Sequence, residues 1–273
     1  MNKDCTAEDK KVMIEKGRYI AELAKTENLE KVNGYSKKVY PKKSFYLRYG
    51  KRALDLMIAI PACIIFAPLN IMLAFATLLD VGKPILFYQM RIGKDGTPFS
   101  LVKFRNMTDK KDLYGHLLPP RQRVTKFGAF VRKYSLDELL NFWSILKGEM
   151  SFIGPRPLPI VFQDRFSERH RMREAVRPGL ECPGLFAKNR IRYYQEQFED
   201  DIWYVENVSF LVDCKMCIKL IQMVFNSKER GDHAIVGGGE FLGYNEEGNA
   251  FSMRNIPEKY EEAYQKYVNE FGK

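Results

Sequence analysis

Over most of the chain, charge interrupts the apolar residues every few positions, but from Leu56 to Leu79 there are 24 residues without one. A crossing helix needs roughly 20 such residues. Pro68 splits the run into Leu56–Ala67 and Leu69–Leu79. As helix, each half is roughly 17 Å long, about half the hydrocarbon core of a bilayer. Basic residues crowd both ends: Lys37, Lys38, Lys42, Lys43, Arg48, Lys51 and Arg52 before the run, Lys83, Arg91, Lys94, Lys103 and Arg105 after it. Positive flanks mark the cytoplasmic side of a membrane segment. A hairpin turning back at Pro68 puts both flanks on that side. A single span kinked by proline, which membrane helices tolerate, is the competing reading.

Elsewhere the pattern is that of a water-soluble domain. Helical spacing runs from Ala7 to about Leu29 and stops at Asn33-Gly34. Ile85–Arg91 and Phe99–Phe104 alternate as strands around the turn Lys94-Asp95-Gly96. Ser135 opens a helix through Leu146, Gly148–Pro159 is a stiff loop, and Arg165–Val176 is a charged helix before the turn Arg177-Pro178-Gly179. Phe210–Phe225 is an apolar helix that either packs in the core or lies on a bilayer surface, and Pro257–Phe271 is a polar one. The expected fold is α+β, mainly helical: a re-entrant membrane helix-break-helix plus a cytosolic domain with a small β-hairpin. Its divisions are an amphipathic extension (1–45), the membrane hairpin (46–80), the cytosolic domain (81–225) and a C-terminal extension (226–273). The extensions are expected to pack on the domain or on a second copy of the chain, as a homodimer.

At 273 residues and 45% hydrophobic, the chain can hold one membrane element and one such domain. A net charge of +10 calls for an anionic partner: membrane lipid, phosphorylated substrate or nucleic acid. With no zinc finger, RNA-binding signature or basic repeat, nucleic acid is not expected. Five scattered cysteines suit reduced thiols, and the lone Cys214-x-x-Cys217 reads as packing rather than a metal or redox site. The first forty-odd residues are charged and lack an apolar run of the signal-peptide kind, so no cleaved leader is expected. His116, His170 and His233 have no serine or cysteine at a triad-like spacing, and Gly237-Gly238-Gly239 lacks the spacing of a dinucleotide fingerprint.

The densest chemistry lies between Arg123 and Pro157. Ser135-Leu136-Asp137-Glu138 reads first as a capping box, with Glu138 reaching back to Ser135. The same helix start offers free N–H groups and a positive dipole end, which suit a phosphate and keep a carboxylate ionised. Asp137 and Glu138 then point about 100° apart and can take different roles, one attacking phosphorus and the other holding Mg²⁺ or orienting an acceptor. Arg132 and Arg156 can stabilise charge on phosphate oxygens, and Arg156 is stiffened by Pro155 and Pro157. Glu199-Asp200-Asp201 is either a second metal site or a solvated charge run.

Several blocks, in order, resemble the bacterial sugar transferases, the monotopic phosphoglycosyl transferases. They are Lys51-Arg52-Ala53-Leu54-Asp55, Gln89-Met90-Arg91-Ile92-Gly93, Lys103-Phe104-Arg105-Asn106-Met107, Arg123-Val124-Thr125-Lys126-Phe127-Gly128, Arg132, Ser135-Leu136-Asp137-Glu138-Leu139, Lys147 through Pro157, and Arg177-Pro178-Gly179. The resemblance covers about residues 46–225. It implies transfer of a sugar phosphate from a nucleotide diphosphate sugar, usually a UDP-sugar, to a polyprenol (undecaprenyl) phosphate at the cytosolic face of the bacterial inner membrane. It further implies Asp137 as nucleophile through a phosphosugar-carboxylate intermediate, release of UMP, Mg²⁺ at the dyad, and Glu138 either assisting metal binding or deprotonating the lipid phosphate. Arg132 and Arg156 are implied to contact phosphates, and the basic residues of the other blocks, Arg91, Lys103, Arg123 and Arg177, are grouped with them. Two departures stand out. The membrane break is Ala67-Pro68 where the family often has Ser-Pro, and Leu180–Arg190 differs from the segment that commonly follows Arg-Pro-Gly. Arg190 and Asp201 are the candidates for contacting the nucleotide sugar. A metal-dependent glycosyltransferase working through Glu199-Asp200-Asp201 and releasing UDP, and a membrane-anchored protein with a dead site, are the competing functions.

Overall fold

The computed structural model describes residues 7–41, 43–112, 115, 117–181, 193–225 and 239–271. Helix α1 spans Ala7–Tyr35. A π-helical turn over Tyr46–Gly50 leads into α2, Lys51–Val81, which is long and apolar enough to cross a membrane. The interruption expected at Pro68 is absent. The helix runs through both Pro61 and Pro68. Each proline removes one backbone donor, and an apolar helix with its other bonds intact bears that loss.

What does emerge is how α2 is held. Its buried residues are Lys51, Asp55 and Ala59 near one end and Leu73 and Thr77 near the other. Between them Ile64 and Ile71 are 70% and 71% exposed. The Arg52 guanidinium donates to the carbonyls of Ile145 and Leu146, each at 2.6 Å. Asp55 accepts from the Ser151 hydroxyl at 2.8 Å and the Phe152 N–H at 2.9 Å. At the far end Asp80 accepts the Thr125 hydroxyl at 2.5 Å. Both ends of a 31-residue helix are thus bonded to one polar domain, and the apolar middle faces outward.

Strands β1 (Leu86–Ile92) and β2 (Pro98–Phe104) pair antiparallel, with Phe87 opposite Lys103 and Arg91 opposite Phe99. The turn between them is tight: a Cβ on Gly93 would lie 2.6 Å from the Thr97 carbonyl oxygen. Phe99 and Leu101 bury against Ala59, Ile145 and Met150. Helix α3 (Lys126–Lys133) is capped by Thr125, whose hydroxyl accepts from the Gly128 N–H at 2.8 Å. Helix α4 (Asn141–Lys147) and strand β3 (Ser151–Ile153) follow, and β3 pairs parallel with β4 (Gly179–Glu181). The single helix expected over Arg165–Val176 is instead three short pieces: 3-10 turns at Ile160–Arg165 and Met172–Ala175 around one helical turn at Glu168–Arg171. Ser167 caps that turn in extended conformation and breaks the run. Among the described residues, helices α5 (Tyr194–Asn207) and α6 (Phe210–Phe225), the antiparallel pair β5 (Phe241–Tyr244) and β6 (Ala250–Ser252), and α7 (Glu258–Phe271) follow.

The two ends of the chain meet. Ile20, Ala21 and Ala24 of α1 pack with Leu242, Phe251, Tyr260 and Tyr264. Asn28 donates to the Tyr244 carbonyl at 2.9 Å. A neighbouring aromatic cluster joins Val32 and Phe241 to Ile92, Leu158, Phe162, Phe166, Tyr194 and Phe198. One continuous apolar interior therefore takes residues from both extensions and from the intervening domain.

Because both ends of α2 are bonded to the same domain, single cysteines at Ser44 and Lys94 should react with a membrane-impermeant thiol reagent from the same side of sealed vesicles. Labelling from opposite sides would show a true crossing.

Candidate active site

Ser135 is the pivot. Its backbone is left-handed, with φ 53° and ψ 29°, and its side chain makes no capping bond. The capping box therefore does not form, and the helix expected from Ser135 to Leu146 begins only at Asn141, after a single 3-10 turn over Leu136–Glu138. A non-glycine residue in this region costs roughly 1–2 kcal/mol, and such outliers gather at functional sites. The turn is held because Leu136, Leu139 and Leu140 pack against Leu73, Phe104 and Val131. Asp137 is thereby fixed facing the domain, 8% exposed.

Around Asp137 the partners are specific. Asn106 donates its side-chain N–H to Asp137 Oδ2 at 3.3 Å. Lys103 forms an ion pair with Glu138 Oε1. Burial pushes the Asp137 carboxyl above the usual aspartate range; the charges of Lys103 and Arg132 pull the other way, and Glu138 adds to the rise. The expectation that a helix N-terminus holds this carboxylate ionised is thus corrected. One 3-10 turn has no stack of aligned peptides behind it, and the compensating charge comes from Lys103. Asn106 was not among the residues expected here; it lies within the Lys103–Met107 block, but nothing in its spacing points it at Asp137.

A second basic group sits apart from the first. Arg91 donates to the Pro157 carbonyl at 3.0 Å and to Gln89 Oε1 at 2.5 Å, while its buried Nε has no partner. Burial, and then the charge of Arg156, push Arg91 down to about 10. Arg156 is exposed on its proline-flanked loop. The loop is packed tightly: a Cβ on Gly154 would lie 2.4 Å from the Arg177 carbonyl oxygen. Two of the other candidate arginines are tied to backbone. Arg177 Nε donates to the Gly148 carbonyl at 2.8 Å and Arg123 reaches the Thr108 carbonyl at 3.5 Å. The structure so brings together Asp137, Glu138, Lys103 and Arg132 as one set and Arg91 with Arg156 as another. Arg190 lies outside the described residues, as do His116, His233, Gly237 and Gly238.

The acidic run on α5 serves packing. Asp201 is 1% exposed and accepts from Arg173 Nε at 2.9 Å and Nη2 at 2.5 Å. Glu199 accepts from Arg169 at 2.6 Å and lies 2.9 Å from His170 Nε2, and these bonds, His170 first, pull its carboxyl down to about 2. Burial lowers the His170 imidazole, against the pull of Glu199, and its Nδ1 lies 2.9 Å from the Tyr244 hydroxyl. Among the described residues no group of three acidic, histidine or cysteine side chains is placed to hold a metal ion. Mg²⁺ commonly takes only one or two carboxylates and completes its shell with substrate phosphate and water. Adjacent Asp137 and Glu138 fit that set.

Residues 46–227 match the bacterial sugar transferase family, and the chain belongs to it. It is 36% identical over 178 residues to the uncharacterised sugar transferase EpsL of Bacillus subtilis, covering 65% of this chain and 88% of that protein. It is 32% identical over 182 residues to the UDP-N-acetylgalactosamine-undecaprenyl-phosphate N-acetylgalactosaminephosphotransferase of Aeromonas hydrophila, covering 64% of this chain but only 43% of that protein. Against the UDP-glucose:undecaprenyl-phosphate glucose-1-phosphate transferase of Caulobacter vibrioides it is 33% identical over 181 residues, 63% of this chain and 68% of the other.

If left-handed backbone at residue 135 is what presents Asp137, Ser135→Gly should leave the thermal midpoint nearly unchanged. Ser135→Val should lower stability by about 1–2 kcal/mol, read by thermal unfolding.

Proposed function

We propose that this protein transfers a sugar 1-phosphate from a UDP-sugar to polyprenol phosphate at the cytosolic membrane face, releasing UMP and starting the assembly of a lipid-linked glycan. The observation that carries the reading is the Asp137–Glu138 pair, held on a strained turn beside Lys103 and packed against the apolar helix through Leu73. The activities of the Aeromonas and Caulobacter relatives support the same reaction class.

Asp137 attacks the phosphorus next to the sugar. One carboxylate oxygen forms the new P–O bond, and the bridging bond to UMP breaks, its electrons leaving with UMP. An oxygen of the polyprenol phosphate then attacks the same phosphorus and returns the carboxylate. Splitting the exchange presents one phosphoryl centre at a time to each anionic nucleophile. Asn106 fixes the carboxylate's orientation through Oδ2. Lys103 pairs with the Glu138 carboxylate, and Glu138 accepts the proton of the lipid phosphate as that group attacks. Arg91 and Arg156 bind donor phosphate oxygens, where fixed cations stabilise spreading charge. When bound, Mg²⁺ on Asp137 and Glu138 supplies Lewis-acid charge at the phosphates. The apolar, outward-facing middle of α2 dips into the membrane while both its ends stay with the domain, which keeps the dyad at headgroup depth where a polyprenol's phosphate lies. Support for that topology is the bonding of both helix ends to one domain. The glycosyltransferase alternative loses its footing, because Glu199 and Asp201 are already paired with Arg169, His170 and Arg173.

With Mg²⁺, undecaprenyl phosphate and a panel of UDP-sugars, the purified protein should release UMP with at least one donor. Asp137→Asn should reduce that release by about a thousandfold or more. Release of UDP, or an Asp137→Asn variant with near-normal turnover, would overturn the assignment. The ionised carboxylate is the reactive form, so kcat/KM should fall with decreasing pH, along an acid limb, as Asp137 takes up a proton. Removing the cation that favours ionisation, in Lys103→Met, should move that limb to higher pH. A limb that stays put or moves to lower pH would contradict the role given to Lys103.

A further inference from the structure

The C-terminal hairpin lies beyond residues 46–227, yet it forms the floor under the Arg91 and Arg156 group. Phe241 of β5 is fully buried and packs ring against ring with Phe162, Phe166, Tyr194 and Phe198. Ile92 and Leu158 belong to the same cluster. Ile92 follows Arg91 directly, and its N–H donates to the Leu158 carbonyl at 2.9 Å. Leu158 lies two residues beyond Arg156, and Arg91 itself bridges to Pro159. The strand carrying one arginine and the loop carrying the other are thus seated on a floor that Phe241 completes.

Tyr194 joins the two sides. Its hydroxyl donates to the Gly239 carbonyl at 3.0 Å. Its ring packs on Phe162 and Phe241, and the charges of Arg156, Arg173 and Arg91 act on its phenol. Arg156 makes no ion pair among the described residues, and its charge bears on Arg91, whose buried Nε lacks an acceptor. Two neighbouring guanidiniums repel and drift apart unless their backbones are fixed. Fixed, they form a preorganised receptor for a multiply charged anion.

We infer that Tyr194 is a positioning residue for the donor's diphosphate, and that the C-terminal hairpin, through Phe241 and the Gly239 carbonyl, is part of the donor site. This rests on reading Arg91 and Arg156 as phosphate-binding.

The test is calorimetric titration of the full-length protein in detergent with inorganic pyrophosphate, which needs no turnover. Arg156→Gln should weaken binding by about tenfold or more, and Tyr194→Phe by about three- to tenfold. Tyr264→Phe, in the other cluster of the extension, should leave it unchanged. In turnover, Tyr194→Phe should raise KM for the UDP-sugar while kcat stays within about twofold, a split that general destabilisation would not produce. Phe241→Leu should weaken pyrophosphate binding in the same direction, and it decides the matter if Tyr194→Phe does not fold. Unchanged binding in Tyr194→Phe and Phe241→Leu, with loss in Arg156→Gln, would sink the inference and leave the arginine site standing. Unchanged binding in Arg156→Gln would remove the site and the inference together.

Discussion

A lysine buried at the foot of an apolar helix must be neutralised, and much of the architecture follows from how that is done. Lys51 is 6% exposed and meets Asp213, which is fully buried, at 2.6 Å. Tyr204 donates to Asp213 Oδ1 at 2.7 Å and accepts from Lys51 at 2.8 Å, and the Tyr46 hydroxyl reaches Asp213 Oδ2 at 2.5 Å. Leaving either charge without the other costs about 3–5 kcal/mol, so α5 and α6 must stay against the base of α2. One turn on, Asp55 binds β3 through Ser151 and Phe152, and Arg52 binds the end of α4. α4 is the helix that the Asp137 turn leads into. The long apolar helix and the turn that carries Asp137 and Glu138 are therefore assembled around the same stretch of helix.

The first hairpin, β1 and β2, was legible in the sequence almost to the residue, because alternation and an Asp-Gly turn are local signals; the short strands β3 to β6 carry no such alternation and were not expected. The apolar helix was equally plain, but its continuity through Pro68 was not. Proline reports a lost donor, and whether a helix breaks there depends on what holds its flanks. Ser135 shows the opposite limit. Its sequence context suits a capping box, and the local rule failed because leucines three-dimensionally packed on Leu73 and Phe104 demanded a different turn. The partners of Glu199 and Asp201 were likewise invisible, since Arg169 and Arg173 are some thirty residues away along the chain. Arg156 was legible for its paired prolines, while its relation to Arg91 needed the fold.

The extensions illustrate how a family domain can be built upon without a seam. Phe241 completes an aromatic interior with Phe162, Phe166, Tyr194 and Phe198 of the family region, and Tyr244 accepts the Ser167 N–H at 3.0 Å and lies 2.9 Å from His170 Nδ1. α1 then lies across the hairpin from outside. An appended module attached only by a linker would be free to move; this one shares side chains with the strand and loop that carry Arg91 and Arg156.

The β-hairpin can also be understood as a ruler. Lys103 stands opposite Phe87 and Arg91 opposite Phe99. Side chains four residues apart on a strand point the same way, so the lysine beside the dyad and the arginine of the second group project from one face, about 13 Å apart. Neither helix packing nor loop conformation sets that interval. It is counted in backbone hydrogen bonds, and the tight turn at Gly93 fixes where the count begins. A slip of one residue would carry Lys103 to the other face of the ribbon, so the separation between the two cationic centres can change only in whole steps of the strand.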